Sequence, residues 1–225
     1  RRGATRGIRR ASVYAVRMVR TPSTMLRLRT RAPEFDLRDV VTGKSTTLSD
    51  FASRRVLVVM FLCNHCPYVK HVEEGLTAFL GDYGGLDPAH PLARDVAIVA
   101  IASNDAAQHP DDAPDEIAKA ARARGWRIPF LHDATQSVAK DYTAACTPDF
   151  FVFDAWRELV YRGQFDGSRP YTDTPVTGSD LRAAVDAVLA GRAVSEDQKP
   201  SLGCNIKWRA GNEPPYFPPT SAASS

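Results

Sequence analysis

One stretch constrains this chain more than any other: Val56-Leu-Val-Val-Met-Phe-Leu62, followed at once by Cys63-Asn64-His65-Cys66-Pro67. The apolar run is β-branched and aliphatic and too short for a buried helix. It predicts a strand over Arg55–Leu62 that is covered on both faces. Downstream, Val69, Val72, Leu76, Phe79 and Leu80 fall at helical spacing and Gly84-Gly85 ends the series, which predicts a helix from about Cys66 to Tyr83. The cysteine pair therefore sits where a buried strand turns into a helix. That placement suits disulfide exchange. The strand fixes the site, the turn brings the sulfurs within bonding distance, and the free N–H groups of the helix start stabilise a thiolate. A protonated His65 lowers a neighbouring thiol further.

The rest of the chain reads as alternating elements. Phe35–Leu37 and Ser45–Leu48 flank Thr42-Gly43-Lys44 as a hairpin, and Ser49 follows as a helix N-cap. Asp95–Ala102 is a second buried strand, Asp111–Arg124 a helix stopped by Gly125, Pro129–Leu131 a short strand and Thr135–Tyr142 a helix. Asp149–Phe153 and Leu159–Arg162 are strands joined by a turn at Asp154-Ala155-Trp156, and a last helix opens at Gly178-Ser179-Asp180. This order predicts an α/β fold with a central mixed sheet flanked by helices. We place one domain over residues 32–195, a basic leader over 1–31 and an extended C-terminal tail over 196–225, where prolines outnumber periodic apolar residues.

The net charge of +3 is a sum of two unlike parts. Residues 1–31 hold ten arginines and no carboxylate, which leaves the remaining 194 residues at −7. The leader has the Arg-, Ser- and Ala-rich composition of a mitochondrial or plastid transit peptide. The alternative is a disordered basic tail or a translated upstream region, with Met18 or Met25 as the true start; the domain would then be cytoplasmic. No aromatic platform accompanies the charge, so nucleic-acid binding is not expected. The longest apolar run is far below the roughly 20 residues of a membrane span. Four cysteines in 225 residues are too few for a disulfide scaffold.

Other readings of the cysteine pair are core thiols or a metal site. Cys63, His65, Cys66 and His71 are close in sequence, but zinc would want a second ligand pair at similar spacing and none exists. Covalent haem attachment would need histidine directly after Cys66, where Pro67 stands. No metal and no organic cofactor are expected.

Several separated motifs then point the same way. They are Ala32-Pro-Glu-Phe-Asp-Leu37, Phe61-Leu-Cys-Asn-His-Cys-Pro-Tyr-Val-Lys70, Ala100-Ile-Ala-Ser-Asn-Asp105, Cys146-Thr-Pro-Asp-Phe-Phe-Val-Phe-Asp154, Leu159-Val-Tyr-Arg-Gly-Gln164 and Gly203-Cys-Asn-Ile-Lys-Trp208. Over about residues 32–208 the chain resembles the thioredoxin-like superfamily, in its peroxiredoxin-like branch of redoxin (AhpC/TSA-type) proteins. The resemblance implies a thioredoxin-like fold and a thiol-dependent oxidoreductase, with peroxide or protein disulfides as substrates and a thiol as reductant. It departs from the thioredoxin pattern in two places: Leu62 stands where a tryptophan is usual, and the strand Arg55–Leu62 carries no buried carboxylate.

The resemblance also implies roles. Cys63 and Cys66 would cycle between dithiol and disulfide, with His65 tuning the thiolate. Thr147-Pro148 falls where the fold carries a cis proline that presents backbone to an incoming extended chain; the plainer reading is a trans proline opening a strand. Cys66-Pro67 resembles a peroxidatic Cys-Pro, although Cys63 replaces the expected threonine and Val59 the upstream proline. Arg162 resembles the arginine that assists the peroxidatic sulfur; otherwise it is a strand-end arginine paired with Asp166. Cys146 is a core thiol or a neighbour of the pair. Cys204 is a packing residue of the tail or a resolving thiol. The competing functional class is a non-catalytic interaction module, such as a subunit of an organelle complex.

Overall fold

The structure, a computed structural model, describes residues 20–217. In chain order the elements are β1 (Thr21–Pro22), β2 (Asp36–Asp39), β3 (Ser45–Thr47), β4 (Val56–Phe61), α1 (Pro67–Asp82), β5 (Val96–Ala102) and α2 (Pro114–Ala123). They continue with β6 (Phe130–His132), α3 (Ser137–Asp141), β7 (Cys146–Thr147), β8 (Asp149–Phe153), β9 (Leu159–Gly163), α4 (Ser179–Leu189) and β10 (Leu202–Asn205). The main sheet runs β3-β2-β6-β5-β4-β8-β9, parallel across β4, β5 and β6 and antiparallel elsewhere. This is the mixed α/β architecture expected of a thioredoxin-like protein. A second, small sheet has the order β1-β10-β7.

Every residue of β4 and β5 is buried, because both strands lie inside the sheet with a layer on each face. Val56, Val58 and Met60 face one layer with Val72, Leu76 and Phe79 of α1 and Leu181 and Val185 of α4. Leu57, Val59 and Phe61 face the other, with Val138 and Ala139 of α3, Tyr142, Phe151 and Trp208. A strand between two apolar layers cannot alternate polar and apolar residues, which is why β4 reads as an unbroken run. The helix α1 opens with Cys66 in extended N-cap conformation and Pro67 in its first turn, where the missing N–H costs nothing. It ends at Gly84, at φ 84°, where a Cβ would meet the Ala93 backbone at 2.9 Å.

Four differences from the sequence reading bear on the site. Thr47, not Ser49, caps a short 3-10 turn at Leu48–Phe51. The segment read as a helix from Asp111 divides into a 3-10 turn, Pro110–Asp112, and α2 from Pro114, because Pro114 is accommodated only in a first helical turn. The tail holds a strand, β10. Residues 20–31, placed in the leader, lie along the domain: Ser23 N donates to Ser201 O at 3.0 Å and Arg29 N to Leu159 O at 2.8 Å. Arg20, Arg27, Arg29 and Arg31 point outward while Thr21 and Ser23 are buried. The transit-peptide reading rests on residues 1–19 as well, and these lie outside the described residues. Among the described residues no helix is long and apolar enough to cross a membrane.

Phe61 is the last residue of β4 and sets the position of the cysteine turn. Its ring packs edge-on against Tyr142 at 5.5 Å and Phe151 at 5.9 Å. Truncating a fully buried aromatic side chain costs about 3–5 kcal/mol. Phe61→Ala should therefore lose that much stability in urea titration, and a loss below about 1 kcal/mol would show that the turn is anchored elsewhere.

Candidate active site

The site is built where β4 gives way to α1 and meets the β7–β8 junction. Phe61 pairs with Asp149 in the β4–β8 register, so the residues just beyond each strand end face one another. The Thr147–Pro148 bond between β7 and β8 is cis, as the resemblance implied. Thr147 serves both sulfurs. Its Oγ1 lies 3.1 Å from Cys63 Sγ, and its carbonyl oxygen accepts from Cys66 Sγ at 3.2 Å. Both thiols are buried, at 2% exposure for Cys63 and 0% for Cys66.

The buried thiols compete for one negative charge, and their hydrogen bonding to one another favours it on Cys66. Hydrogen bonding with the Cys204 and Cys63 thiols, and then with the Val69 amide, favours the charged form of Cys66. Together these bonds outweigh burial and hold the Cys66 thiol far below its ordinary value. The start of α1 favours the same outcome, since Cys66 is its N-cap. Cys63 is pushed well up, first by its hydrogen bond to Cys66 and then by burial. Cys204 is raised for the same two reasons.

His65 is held by Asp112. Nδ1 of His65 lies 2.5 Å from Asp112 Oδ2, which also accepts from Asn104 Nδ2 at 2.8 Å. The Asn64 amide donates to Oδ1 at 2.7 Å. Burial pushes the Asp112 carboxyl up, but these hydrogen bonds together outweigh it and leave it below the ordinary carboxylate value. The same bond to Asp112 raises His65 above the ordinary imidazole value, against burial. The His109 ring stacks on His65 at 5.2 Å and is itself lowered, by burial and then by the charge on His65. Cys63, His65 and Asp112 thus offer sulfur, nitrogen and oxygen within 4.8 Å of one another, with both carboxylate oxygens already engaged. His71 stands apart, bonded to Ser168.

The buried carboxylate absent from β4 comes instead from the Pro110–Asp112 turn. Asp112 lies 47 residues beyond His65 and within a segment whose periodicity looks helical, so no local signal marks it. A second buried carboxyl, Asp149, directly follows the cis proline and is pushed well up by burial; among the described residues its Oδ2 has no hydrogen-bond partner.

Arg162 is not brought to the thiols. On β9 it sits opposite Phe151, which belongs to the core layer across the sheet from α1. Its Nε donates to the Leu26 carbonyl at 2.9 Å and its Nη1 to Gln198 Oε1 at 2.6 Å. It therefore ties the tail and the segment before β2 to the domain. The Asp166 alternative fails as well, since that carboxylate accepts from Ser168, Thr177 and Gly178 amides. Cys146 is a fully buried thiol, raised by burial and directed at Pro148 O at 3.7 Å. Cys204 is partly exposed and lies opposite Thr147 on β10.

The His65–Asp112 pair makes a pH-dependent contribution to stability whose sign follows from the two shifts. The lowered Asp112 contributes fully above its ordinary value of 3.8 and loses this as pH falls through its folded value. The raised His65 contributes fully below its ordinary value of 6.5 and loses this as pH rises through its folded value. Asp112→Asn should cost roughly 1–3 kcal/mol near pH 5 and measurably less near pH 9. Urea denaturation at the two pH values checks this, and an equal loss at both would contradict a charged pair.

The family model described as Redoxin matches residues 28–181, more than half of the chain. An uncharacterized conserved protein from Geobacillus kaustophilus is 48% identical, with 85% of this chain and 97% of that chain covered and a TM-score of 0.80. A hypothetical protein from Sinorhizobium meliloti 1021 is 49% identical over 85% of this chain and 100% of that one, with a TM-score of 0.79. The fold is also shared with a peroxidoxin from Mycobacterium tuberculosis, at 18% identity, 73% and 97% coverage and a TM-score of 0.51. None of the curated proteins matches the chain. A thioredoxin-like fold with both cysteines at one helix start, matched along most of its length by that model, identifies the chain as a member of the Redoxin family.

Proposed function

We propose that the chain is a thiol–disulfide oxidoreductase of the peroxiredoxin-like type, with Cys63 and Cys66 as its working pair. The observation that carries this reading is the double contact of Thr147, whose hydroxyl and carbonyl meet the two sulfurs at 3.1 and 3.2 Å. Two thiols held to one residue need little movement to join.

In the reaction we envisage, the Cys66 thiolate attacks the terminal oxygen of a hydroperoxide. The O–O bond breaks, the alcohol or water leaves with a proton, and Cys66 becomes a sulfenic acid. Cys63 then attacks Cys66 Sγ, its thiol proton leaves with the hydroxide as water, and the Cys63–Cys66 disulfide forms. A protein disulfide as oxidant would react through a mixed disulfide with Cys66 instead. His65, raised by its bond to Asp112, supports the thiolate in its protonated form. A thiol reductant restores the pair, and no organic cofactor enters. Arg162 has no part in this scheme. The arginine-rich composition of residues 1–31 supports action in a mitochondrion or plastid, and import of a fluorescent fusion tests that address.

Cys66→Ser should abolish dithiothreitol-dependent peroxide consumption and insulin reduction, while Cys63→Ser should still lose its Cys66 thiol to peroxide and form no Cys63–Cys66 disulfide. The readouts are the rate of peroxide loss and the intact mass of each variant. Wild-type rates in Cys66→Ser would sink the enzyme reading and favour an interaction module.

A further inference from the structure

A third thiol meets the pair through the small sheet. β10 runs antiparallel to β7 with Cys204 opposite Thr147 and Asn205 opposite Cys146. Facing residues of an antiparallel ladder project to the same side, about 4.5–5.5 Å apart. Cys204 therefore shares the side of the Thr147 hydroxyl that touches Cys63, and it packs against the core layer that contains Cys63 and Cys66. Cys146 projects to the opposite side with Asn205. The contact is tight: a Cβ on Gly203 would lie 2.1 Å from Thr147 O, the carbonyl that accepts the Cys66 thiol.

β10 is fixed on both sides. Thr21 of β1 pairs with Gly203, Ser201 Oγ donates to Gly163 O at 2.6 Å, and Lys207 N donates to Asn104 Oδ1 at 2.8 Å. An extended substrate chain would bind β7 by adding a strand to its edge. The chain's own tail already fills that position, with a cysteine at the register point nearest the pair. Exposure sharpens this. Cys63, Cys66 and Cys146 are buried, and Cys204 alone among the four thiols reaches the surface in part.

We propose that β10 is a built-in occupant of the substrate strand position and that Cys204 is a third redox thiol, linking the buried pair to external thiols. This rests on the thiol–disulfide reading above. After the Cys63–Cys66 disulfide has formed, Cys204 Sγ attacks Cys66 Sγ. The Cys66–Cys204 bond forms as the Cys63–Cys66 bond breaks, Cys63 leaves with the electron pair, and the proton lost by Cys204 goes to Cys63. The step is redox-neutral. An external thiolate then attacks Cys204 Sγ, and Cys66 departs as the better leaving group, stabilised at the helix start. A second external thiol completes the reduction and leaves as a disulfide with the first. The arrangement favours a small hydroperoxide over a protein disulfide as oxidant, because a protein chain would have to displace β10.

The test is peptide mapping without reduction, after one equivalent of hydrogen peroxide, acid quenching and alkylation. Cys63→Ser should give a Cys66–Cys204 linkage in most molecules. Gly203→Val, which forces β10 off Thr147, should lose that linkage but keep Cys63–Cys66. Reduction of oxidised Cys204→Ser by thioredoxin or glutathione should be at least about tenfold slower than wild type, since the remaining disulfide is buried. The proposal is overturned if Cys63→Ser leaves Cys204 free while Cys66 becomes sulfinic acid or joins another molecule, or if Cys204→Ser is reduced at the wild-type rate. Failure of the underlying reading looks different: the wild type would then form no Cys63–Cys66 disulfide.

Discussion

Thr147 is the residue on which the site turns. It lies outside the strand–turn–helix unit that carries Cys63 and Cys66, yet its hydroxyl and carbonyl meet both sulfurs. The contact exists because β8 pairs with β4 in a register that brings Phe61 opposite Asp149. That register is held by complementary burial on both faces of β4, since a slip of one residue would exchange its two core layers. The hydrophobic pattern of one strand thus fixes the distance between groups on two others.

Electrostatics then decides which sulfur carries charge. Burial alone disfavours every thiolate, so a lowered thiol needs donors that outweigh it. Cys66 has them in the neighbouring thiols and the first turn of α1, whereas Cys146 does not and is raised. Asp112 follows the same logic. A buried carboxylate is tolerated when hydrogen bonds satisfy it, and this one has three partners. It raises His65, at the edge of the site, above the ordinary imidazole value. The cost of burying a charge is met locally in each case, which is the pattern expected of a site rather than of a core.

The elements that depend on local pattern were legible in the sequence. β4 shows as an apolar run because two layers cover it, and α1 shows as helical spacing between Pro67 and Gly84. The Thr147-Pro148 junction was legible only through the family resemblance. What escaped depends on distant pairing. Asp112 enters the site across 47 residues of sequence from a turn. β10 is short and carries Gly203 in place of a strand-forming side chain, because the Thr147 carbonyl leaves no room for one. Residues 20–31 alternate inward and outward, but their arginines dominate the composition and hide the period. Arg162 was misread because its motif resembles a functional one, while the register of β9 turns it to the far face of the sheet.

On the proposed function, Cys63 and Cys66 form one two-electron couple. A titration in glutathione redox buffers, with free thiols counted by alkylation and mass spectrometry, tests it most directly. Two thiols should be lost together along a two-electron Nernst curve, and the linked peptide should join Cys63 to Cys66. Loss of single thiols to separate glutathione adducts, or retention of all four as free thiols under oxidising buffer, would contradict it.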